Sequence, residues 1–174
     1  QDRTKIGDPW PDFVYGLSLG ATWKGFDFNV FFQGSQGNDV LNMTLRDFES
    51  GTGTMNARED FLNRAWNGEG STDKYHRISA EQGQNSEISD YFVEDGSYLR
   101  LKNLQLGYNF CERLLKIKGI SYLRLYVSAQ NLFTLTKYSG LDPEIGSSNA
   151  TLNGIDQGFY PQARTWTVGL NIKF

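Results

Sequence analysis

The chain is poor in the residues that build metal sites and disulfide frameworks. Its 174 residues include one cysteine and one histidine. One cysteine excludes an internal disulfide and a cysteine-based zinc site, and one histidine excludes a site with several histidine ligands. No apolar run reaches the roughly 20 residues that a transmembrane helix needs. The mean hydropathy of −0.50 does not exclude a transmembrane β-barrel, whose alternating strands average to a polar score.

The chain also lacks an excess of positive charge. It has 17 Lys and Arg against 20 Asp and Glu, a formal net charge of −3, which argues against a nucleic-acid-binding protein. The residues that follow Gln1 show neither the charged nor the apolar segment of a signal peptide. This predicts either a cytoplasmic protein or a piece of a longer one. A hydrophobic content of 39% predicts a folded chain.

Five segments alternate apolar and polar residues with the period of a β-strand. On one face they carry 23 apolar residues and no charge, and on the other 24 residues, of which only Val14 is aliphatic. Lys24-Gly25 reads as a two-residue hairpin turn between the first two. The predicted strands are 12–23, 26–36, 97–110, 121–133 and 163–174.

The third predicted strand changes phase along its length. Leu104, Leu106 and Tyr108 share one parity, whereas the apolar residues between Tyr98 and Lys102 switch to the other. Two explanations stay open. A β-bulge resets the alternation, or the upper half of the strand stands in water and needs no apolar outer face.

The aromatic residues concentrate at the strand ends. Aliphatic residues, Gly and Ala occupy the strand middles, so the pattern is that of two aromatic girdles around an aliphatic belt. A β-sandwich more often places its large aromatics centrally. With the Lys24-Gly25 turn as the bottom, the bottom set is Trp23, Phe26, Tyr108, Phe110 and Phe174, and the top set is Phe13, Tyr15, Phe32, Phe133 and Trp166.

Strand lengths and connections also favour a membrane barrel. The bottom links are short, whereas the segments 1–11, 37–96 and 134–162 read as external loops at the top. A membrane barrel needs at least about eight strands, and open edges are not tolerated in hydrocarbon. Five strands therefore predict the C-terminal part of a larger all-β transmembrane barrel, whose earlier strands and signal peptide lie outside this sequence.

The long loop contains one predicted helix and no metal or catalytic constellation. Asn56 to Asn67 reads as a short helix with Asn56 as its N-cap. His76 has no partners for catalysis around it and is predicted to be an exposed loop residue. Asp142-Pro143-Glu144 is a turn with too few oxygens for calcium. No cofactor, metal or enzymatic activity is expected.

Ordered motifs along the whole chain resemble one family. Four sets of residues are similar to motifs of SusC/RagA-type TonB-dependent outer-membrane transporters. They are Ile6–Pro9 with Pro11–Phe13 and Tyr15-Gly16; Phe92–Asn103 with Leu106–Tyr108; Ala129–Thr134 with Tyr138–Glu144; and Tyr160-Pro161 with Arg164–Trp166, Gly169 and Phe174. The resemblance implies a barrel of about 22 strands that holds an N-terminal plug domain. It also implies a SusD-like lipoprotein lid, energy from the TonB complex, and import of oligosaccharides or peptides across the bacterial outer membrane.

The resemblance and the strand faces together yield candidate functional residues. Phe174, at the expected periplasmic end, resembles the C-terminal aromatic signal for barrel assembly, and the apolar face is expected to contact outer-membrane lipid. Aromatic rings suit the apolar faces of sugars, and long loops also need aromatics for their own packing. Candidate ligand-contacting aromatics are Trp10, Trp66, Tyr75, Tyr91, Tyr138, Phe159 and Tyr160. Candidate lumen or plug contacts are Asp27, Asn29, Gln33, Tyr122, Arg124, Tyr126 and Gln130.

Three alternatives stay open from the sequence. A siderophore or vitamin receptor is the alternative within transport, although the long external loops favour the SusC-like one. A secreted β-sandwich that binds glycans shows the same alternation and should fold without detergent. A glycosidase would need two carboxylates at a suitable separation, and nothing in the sequence selects such a pair.

Overall fold

The structure is a computed structural model that describes residues 3–49, 56–72, 75–78, 87–110, 119–146 and 150–174. The chain forms two compact units. The sheet unit comprises Pro11–Gly37, Ser97–Lys137 and Pro161–Phe174. The loop unit comprises Gln1–Trp10, Asn38–Gly96 and Tyr138–Tyr160.

The described elements are mostly antiparallel strands, with short helices in the loop unit. Two 3-10 turns, Asp90–Phe92 and Ala150–Leu152, accompany them. In chain order the elements are β1 (Phe13–Trp23), β2 (Phe26–Gln36), β3 (Asp39–Asn42), α1 (Met43–Glu49), α2 (Glu59–Arg64), β4 (Val93–Asp95), β5 (Tyr98–Phe110), β6 (Tyr122–Gln130), β7 (Thr134–Thr136), β8 (Ile155–Asp156) and β9 (Thr165–Lys173).

The sheet unit is one antiparallel sheet in the order β1-β2-β5-β6-β9, and β7 pairs with the upper part of β5. The turn between β1 and β2 has positive φ at Lys24 (47°) and Gly25 (91°), as the predicted two-residue hairpin requires. β6 ends at Gln130, short of the predicted bound at residue 133. Asn131 has a φ of 51° and donates its amide proton to the carbonyl of Lys102, which turns the chain out of the strand.

A β-bulge explains the change of phase in the third predicted strand. Phe31 pairs with Asn103 and Phe32 pairs with Leu101, so Lys102 is an extra residue in β5. Because one residue is inserted, Leu101 and Leu104 both lie on the apolar face although their parity differs. The bulge alternative is therefore confirmed.

Most of the apolar face of the sheet is exposed in this chain, although Val30, Leu101 and Ala129 on that face are buried. Leu19 is 52% exposed, Val168 72% and Leu170 55%. At the Lys24-Gly25 end the aromatics pack against one another, with ring centroids 4.6 Å apart for Phe26 and Tyr108. This arrangement gives the sheet one apolar surface with an aromatic edge.

The loop unit is organised around a small three-stranded sheet. β3 pairs antiparallel with β4 and parallel with β8. Val40, Phe61 and Phe92 form its core at 1%, 0% and 0% exposure. These strands have two to four residues and are too short to show a period of two, so the sequence did not predict them.

The predicted loop helix is present as α2 but is shorter at both ends, because it covers Glu59–Arg64 and not Asn56 to Asn67. Its N-cap is Arg58 and not Asn56, so the N-cap prediction is wrong. The amide of Arg58 donates to the carbonyl of Phe48 (3.2 Å), which holds this residue in an extended conformation and delays the helix. Among the described residues, no helix is long and apolar enough to cross a membrane.

Candidate functional site

A polar cluster lies on the polar face of the sheet unit, near the Lys24-Gly25 turn. Arg124 donates from Nε to Asp27 Oδ2 (2.8 Å) and pairs with the other carboxylate oxygen through Nη2. Asn109 donates to Asp27 Oδ2 (3.1 Å), and Tyr122 donates to Asn109 Oδ1 (2.6 Å). The cluster therefore ties β2, β5 and β6 together through one carboxylate.

Two glycines make room for this cluster. A Cβ at Gly107 would lie 2.7 Å from both Asp27 Oδ1 and Arg124 Nη2, so the ion pair crosses directly over the β5 backbone. Gly169 is covered by the ring of Tyr126, which would clash with any side chain there. The Arg124 guanidinium lies 4.9 Å from the centroid of the same ring, a cation–π contact.

The ion pair is shielded and electrically balanced. The side chains of Arg124 and Asp27 are 14% and 13% exposed. Both are saturated by hydrogen bonds to one another and to neighbours, so the cluster presents a packed polar surface without a free charge. Such a surface suits contact with another folded element better than coordination of an ion.

The other residues predicted for this face lie further along the strands. Asn29 is opposite Gln105 on β5, Gln33 is opposite Arg100, and Gln130 is opposite Asn103. The structure thus groups Asp27, Tyr122, Arg124 and Tyr126 with Asn109, which the sequence analysis did not select. Its polar parity on β5 was the signal that could have indicated it.

In the loop unit, the candidate ligand-contacting aromatics divide into exposed and packed groups. Trp10 is 68% exposed and Tyr160 is 88% exposed. Trp66 and Phe159 are 38% and 37% exposed. The remaining three, Tyr75, Tyr91 and Tyr138, take part in the packing of the unit.

Tyr138 is held inside the loop unit by a carboxylate. It is 5% exposed, and its hydroxyl donates to Asp156 Oδ2 (2.6 Å). Asp156 Oδ1 accepts the amide protons of Gly158 (2.9 Å) and Phe159 (3.1 Å). Burial, and then the Asp156 carboxylate, raise the pKa of the Tyr138 hydroxyl above its usual range.

A second buried carboxylate organises the other side of the loop unit. Glu49 is 3% exposed, accepts a hydrogen bond from the Tyr91 hydroxyl (2.7 Å) and lies 3.7 Å from the Arg58 guanidinium. Burial, followed by this hydrogen bond, raises the pKa of Tyr91. His76 bonds the backbone carbonyl of Glu49 (2.9 Å) and is half-buried against Phe61, so its prediction as an exposed residue is wrong.

An open cavity of about 550 Å³ lies in the loop unit beside Trp66. A second, mostly apolar cavity of about 380 Å³ lies beside Phe48 and Leu141.

No group of three or more His, Cys, Asp or Glu that could hold a metal occurs in the described ranges. Asp142 Oδ1 accepts the amide proton of Glu144 (2.9 Å), which makes that stretch a turn. Cys111 lies outside the described residues.

Comparison with known proteins places these features in one family. No family model matches the chain. It is 44% identical over 179 residues to TonB-dependent receptor P3 of Formosa agariphila and 35% identical over 182 residues to TonB-dependent receptor SusC of Bacteroides thetaiotaomicron. Each alignment covers 99% of this chain and 17% or 16% of the relative, so the chain spans about a sixth of the length of these relatives.

Solved structures agree with the sequence relatives. The RagAB peptide importer in the closed-closed state matches with a TM-score of 0.80 and 29% identity, over 95% of this chain and 18% of that one. The open-open state matches with a TM-score of 0.80 and 31% identity, over 95% of this chain and 17% of that one.

The fold and its matches define an antiparallel wall of a transmembrane β-barrel. The chain belongs to the SusC/RagA family of TonB-dependent receptors. The β-sandwich alternative is set aside, because the matched structures are those of an importer barrel. The names of these relatives describe receptors and importers, which agrees with a protein that is not an enzyme.

Proposed function

We propose that this chain is part of an outer-membrane TonB-dependent importer for large nutrients. In this proposal oligosaccharides or peptides are captured together with a SusD-like lipoprotein, and the TonB complex drives uptake through a plug domain. The observation that carries the proposal is whole-chain similarity, at 44% and 35% identity, to two TonB-dependent receptors. The sheet supports it, because one face is apolar and exposed whereas the other is polar.

The proposed orientation places the Lys24-Gly25 turn and Phe174 on the periplasmic side. The segments 1–11, 37–96 and 134–162 would then be external loops, as the long loops of outer-membrane barrels are. The packed aromatics Phe26 and Tyr108 would lie at the interface between the outer membrane and the water of the periplasm. Phe174, which is 92% exposed, would be free to serve as the barrel-assembly signal.

The polar cluster is proposed to face the lumen and contact the plug domain. Asp27 and Arg124 neutralise one another, while Asn109 and Tyr122 extend the hydrogen-bonded surface toward the same end. A surface of this kind offers polar contacts and no unpaired charge, so it can contact the plug domain and still let the plug be displaced. Asn29, Gln33 and Gln130 would continue the lumen wall above it.

Ligand contact is proposed for the exposed aromatics of the loop unit. Trp10, Trp66, Phe159 and Tyr160 present ring surface to solvent. Tyr75, Tyr91 and Tyr138 would support them from within, since their rings or hydroxyls are engaged in the packing of the unit.

The importer proposal is tested on the intact protein in its own membrane. We expect a tagged full-length transporter to be recovered from the outer-membrane fraction together with a lipoprotein, and uptake of its nutrient to stop when TonB is deleted. Recovery without a lipoprotein, together with uptake that is independent of TonB, would overturn the proposal. TonB-dependent uptake of an iron chelate or a vitamin without a lipoprotein would instead support the alternative receptor class.

A further inference from the structure

The open cavity beside Trp66 has the composition of a sugar site. Its volume of about 550 Å³ lies within the range of small-ligand pockets, which is roughly 300–1,000 Å³. Apolar lining comes from Trp66, Leu62 and Ile78, and polar lining from two amides and one guanidinium. The complete lining is Leu62, Asn63, Ala65, Trp66, Asn67, Arg77 and Ile78.

The polar groups of this cavity are available to a ligand. Within the described part of the chain, the side chains of Asn63, Asn67 and Arg77 make no hydrogen bond or ion pair. Two amides both donate and accept, and the guanidinium only donates. Because vicinal hydroxyls of a sugar both donate and accept, amides and a guanidinium beside an aromatic face match a pyranose ring on its polar and apolar sides.

The cavity is also supported from below. The amide of Trp66 donates to the carbonyl of His76 (3.3 Å), which joins the end of α2 to the segment that carries Arg77. Phe61 of α2 is fully buried, with its ring centroid 5.0 Å from His76 and 6.2 Å from Tyr75. A site built on a packed core loses little conformational entropy when a ligand binds.

The charge of the loop unit restricts the kind of sugar. Its three segments contain seventeen Asp and Glu against seven Lys and Arg. A net charge of this sign repels a polyanionic glycan at low salt.

The position of the cavity disfavours an extended peptide as its ligand. The lining residues come from a helix and a loop segment, and none belongs to a strand whose edge could pair with such a peptide.

We infer that the cavity lined by Trp66, Asn63, Asn67 and Arg77 is a binding subsite for a neutral oligosaccharide. The inference rests on the proposed importer function and narrows its substrate from oligosaccharides or peptides to neutral glycans. Trp66 stacks on the apolar face of one sugar ring, and the amides and Arg77 bind its hydroxyls.

The test uses the intact transporter in detergent on an array of neutral oligosaccharides, uronic-acid oligosaccharides and peptides. We expect binding to at least one neutral oligosaccharide, weakened about tenfold by Trp66→Ala and retained by Trp66→Phe. Asn63→Leu should weaken it as well. The matched control is Phe48→Ala, because Phe48 is an aromatic residue of the loop unit with similar exposure (39%) that does not line this cavity.

Three results would overturn the inference. They are binding only to uronic-acid oligosaccharides or peptides, an unchanged affinity in Trp66→Ala, and an equal loss in Phe48→Ala. Recovery of the lipoprotein with each variant is measured in parallel. Loss of sugar binding with the lipoprotein still present concerns this subsite, whereas absence of the lipoprotein from the wild type concerns the importer proposal.

Discussion

At the scale of single residues, Gly107 determines the geometry of the polar cluster. We expect Gly107→Ala to displace the Asp27–Arg124 pair, because the added Cβ would lie 2.7 Å from an atom of each partner. The loss in free energy of unfolding should be about 1–3 kcal/mol, as for other insertions into packed sites. Thermal unfolding of the intact barrel in detergent measures it.

The control for this prediction is Gly146→Ala. Gly146 has no heavy atom within 4 Å of its Cβ position, so the same substitution should leave the melting temperature unchanged. Equal melting temperatures for the two variants would contradict the assigned crossing of the ion pair over β5.

Substitution of one partner of the Asp27–Arg124 pair should lower the free energy of unfolding more than substitution of both partners. Arg124→Met leaves the Asp27 carboxylate shielded without its cation, and we expect a loss of about 1–3 kcal/mol or more in the free energy of unfolding. The double variant Asp27→Asn/Arg124→Met should recover part of this loss. A double-mutant cycle from thermal unfolding measures the coupling, and purely additive effects would argue against it.

The raised pKa values of Tyr138 and Tyr91 predict how the stability of the loop unit changes with pH. Their folded pKa values are raised above the ordinary value of 10.0, so the folded state keeps phenol protons that the unfolded state releases. The stabilisation is fully present below about pH 10 and is lost as the pH rises further. Protease cleavage of the loop unit should therefore accelerate above pH 10.

The tyrosine prediction is checked with phenylalanine variants. Tyr138→Phe should be less stable than the wild type at pH 8, because Asp156 loses a hydrogen-bond donor, and its cleavage rate should depend less on alkaline pH. Tyr91→Phe/Tyr138→Phe should show the weakest dependence. A double variant that keeps the full wild-type pH response would refute the assignment.

At the scale of elements, the bulge at Lys102 keeps the two halves of β5 in phase. Deletion of Lys102 should leave the residues from Tyr98 to Leu101 on their present faces, because it removes the extra residue and leaves Leu101 opposite Phe32 in a regular ladder. We therefore expect the folded, heat-modifiable transporter to remain in the outer membrane. Deletion of Gln105, which lies in the regular part of β5, is the comparison: it reverses the alternation along the strand and should abolish assembly.

The sequence predicted the strands correctly where an alternating segment was long enough to show a period of two residues. The strands from Phe13 to Gln36 and the irregularity in β5 followed from alternation alone. The short strands β3, β4 and β8 depend on partners distant in the chain, and no local pattern marks them. The start of α2 was also decided by a distant contact, between Arg58 and Phe48.

At the scale of the whole molecule, the exposed apolar face predicts the behaviour of the isolated chain. Leu17, Leu125 and Val168 are 51%, 44% and 72% exposed and belong to one continuous surface. We expect these 174 residues to aggregate in detergent-free buffer and to be dispersed by detergent. Light scattering and size-exclusion chromatography measure this, and a monodisperse detergent-free chain with a sharp melting transition would contradict the membrane assignment.

The sequence by itself determined the strand faces, the aromatic edges and the family, because each is written in local alternation or in contiguous motifs. It placed Asp27, Tyr122, Arg124 and Tyr126 on one polar face. Only the tertiary structure decided that Asn109 joins them and that Gly107 lies beneath the ion pair, since both depend on cross-strand register.

In the loop unit, too, the sequence determined one part of the proposed site and the tertiary structure decided the other. The sequence proposed Trp66 as a sugar-contacting residue, and its aromatic type was enough for that. Asn63 and Asn67 are close to it in the sequence, whereas only folding brings Arg77 to its side, from a separate segment and through the bond between Trp66 and His76.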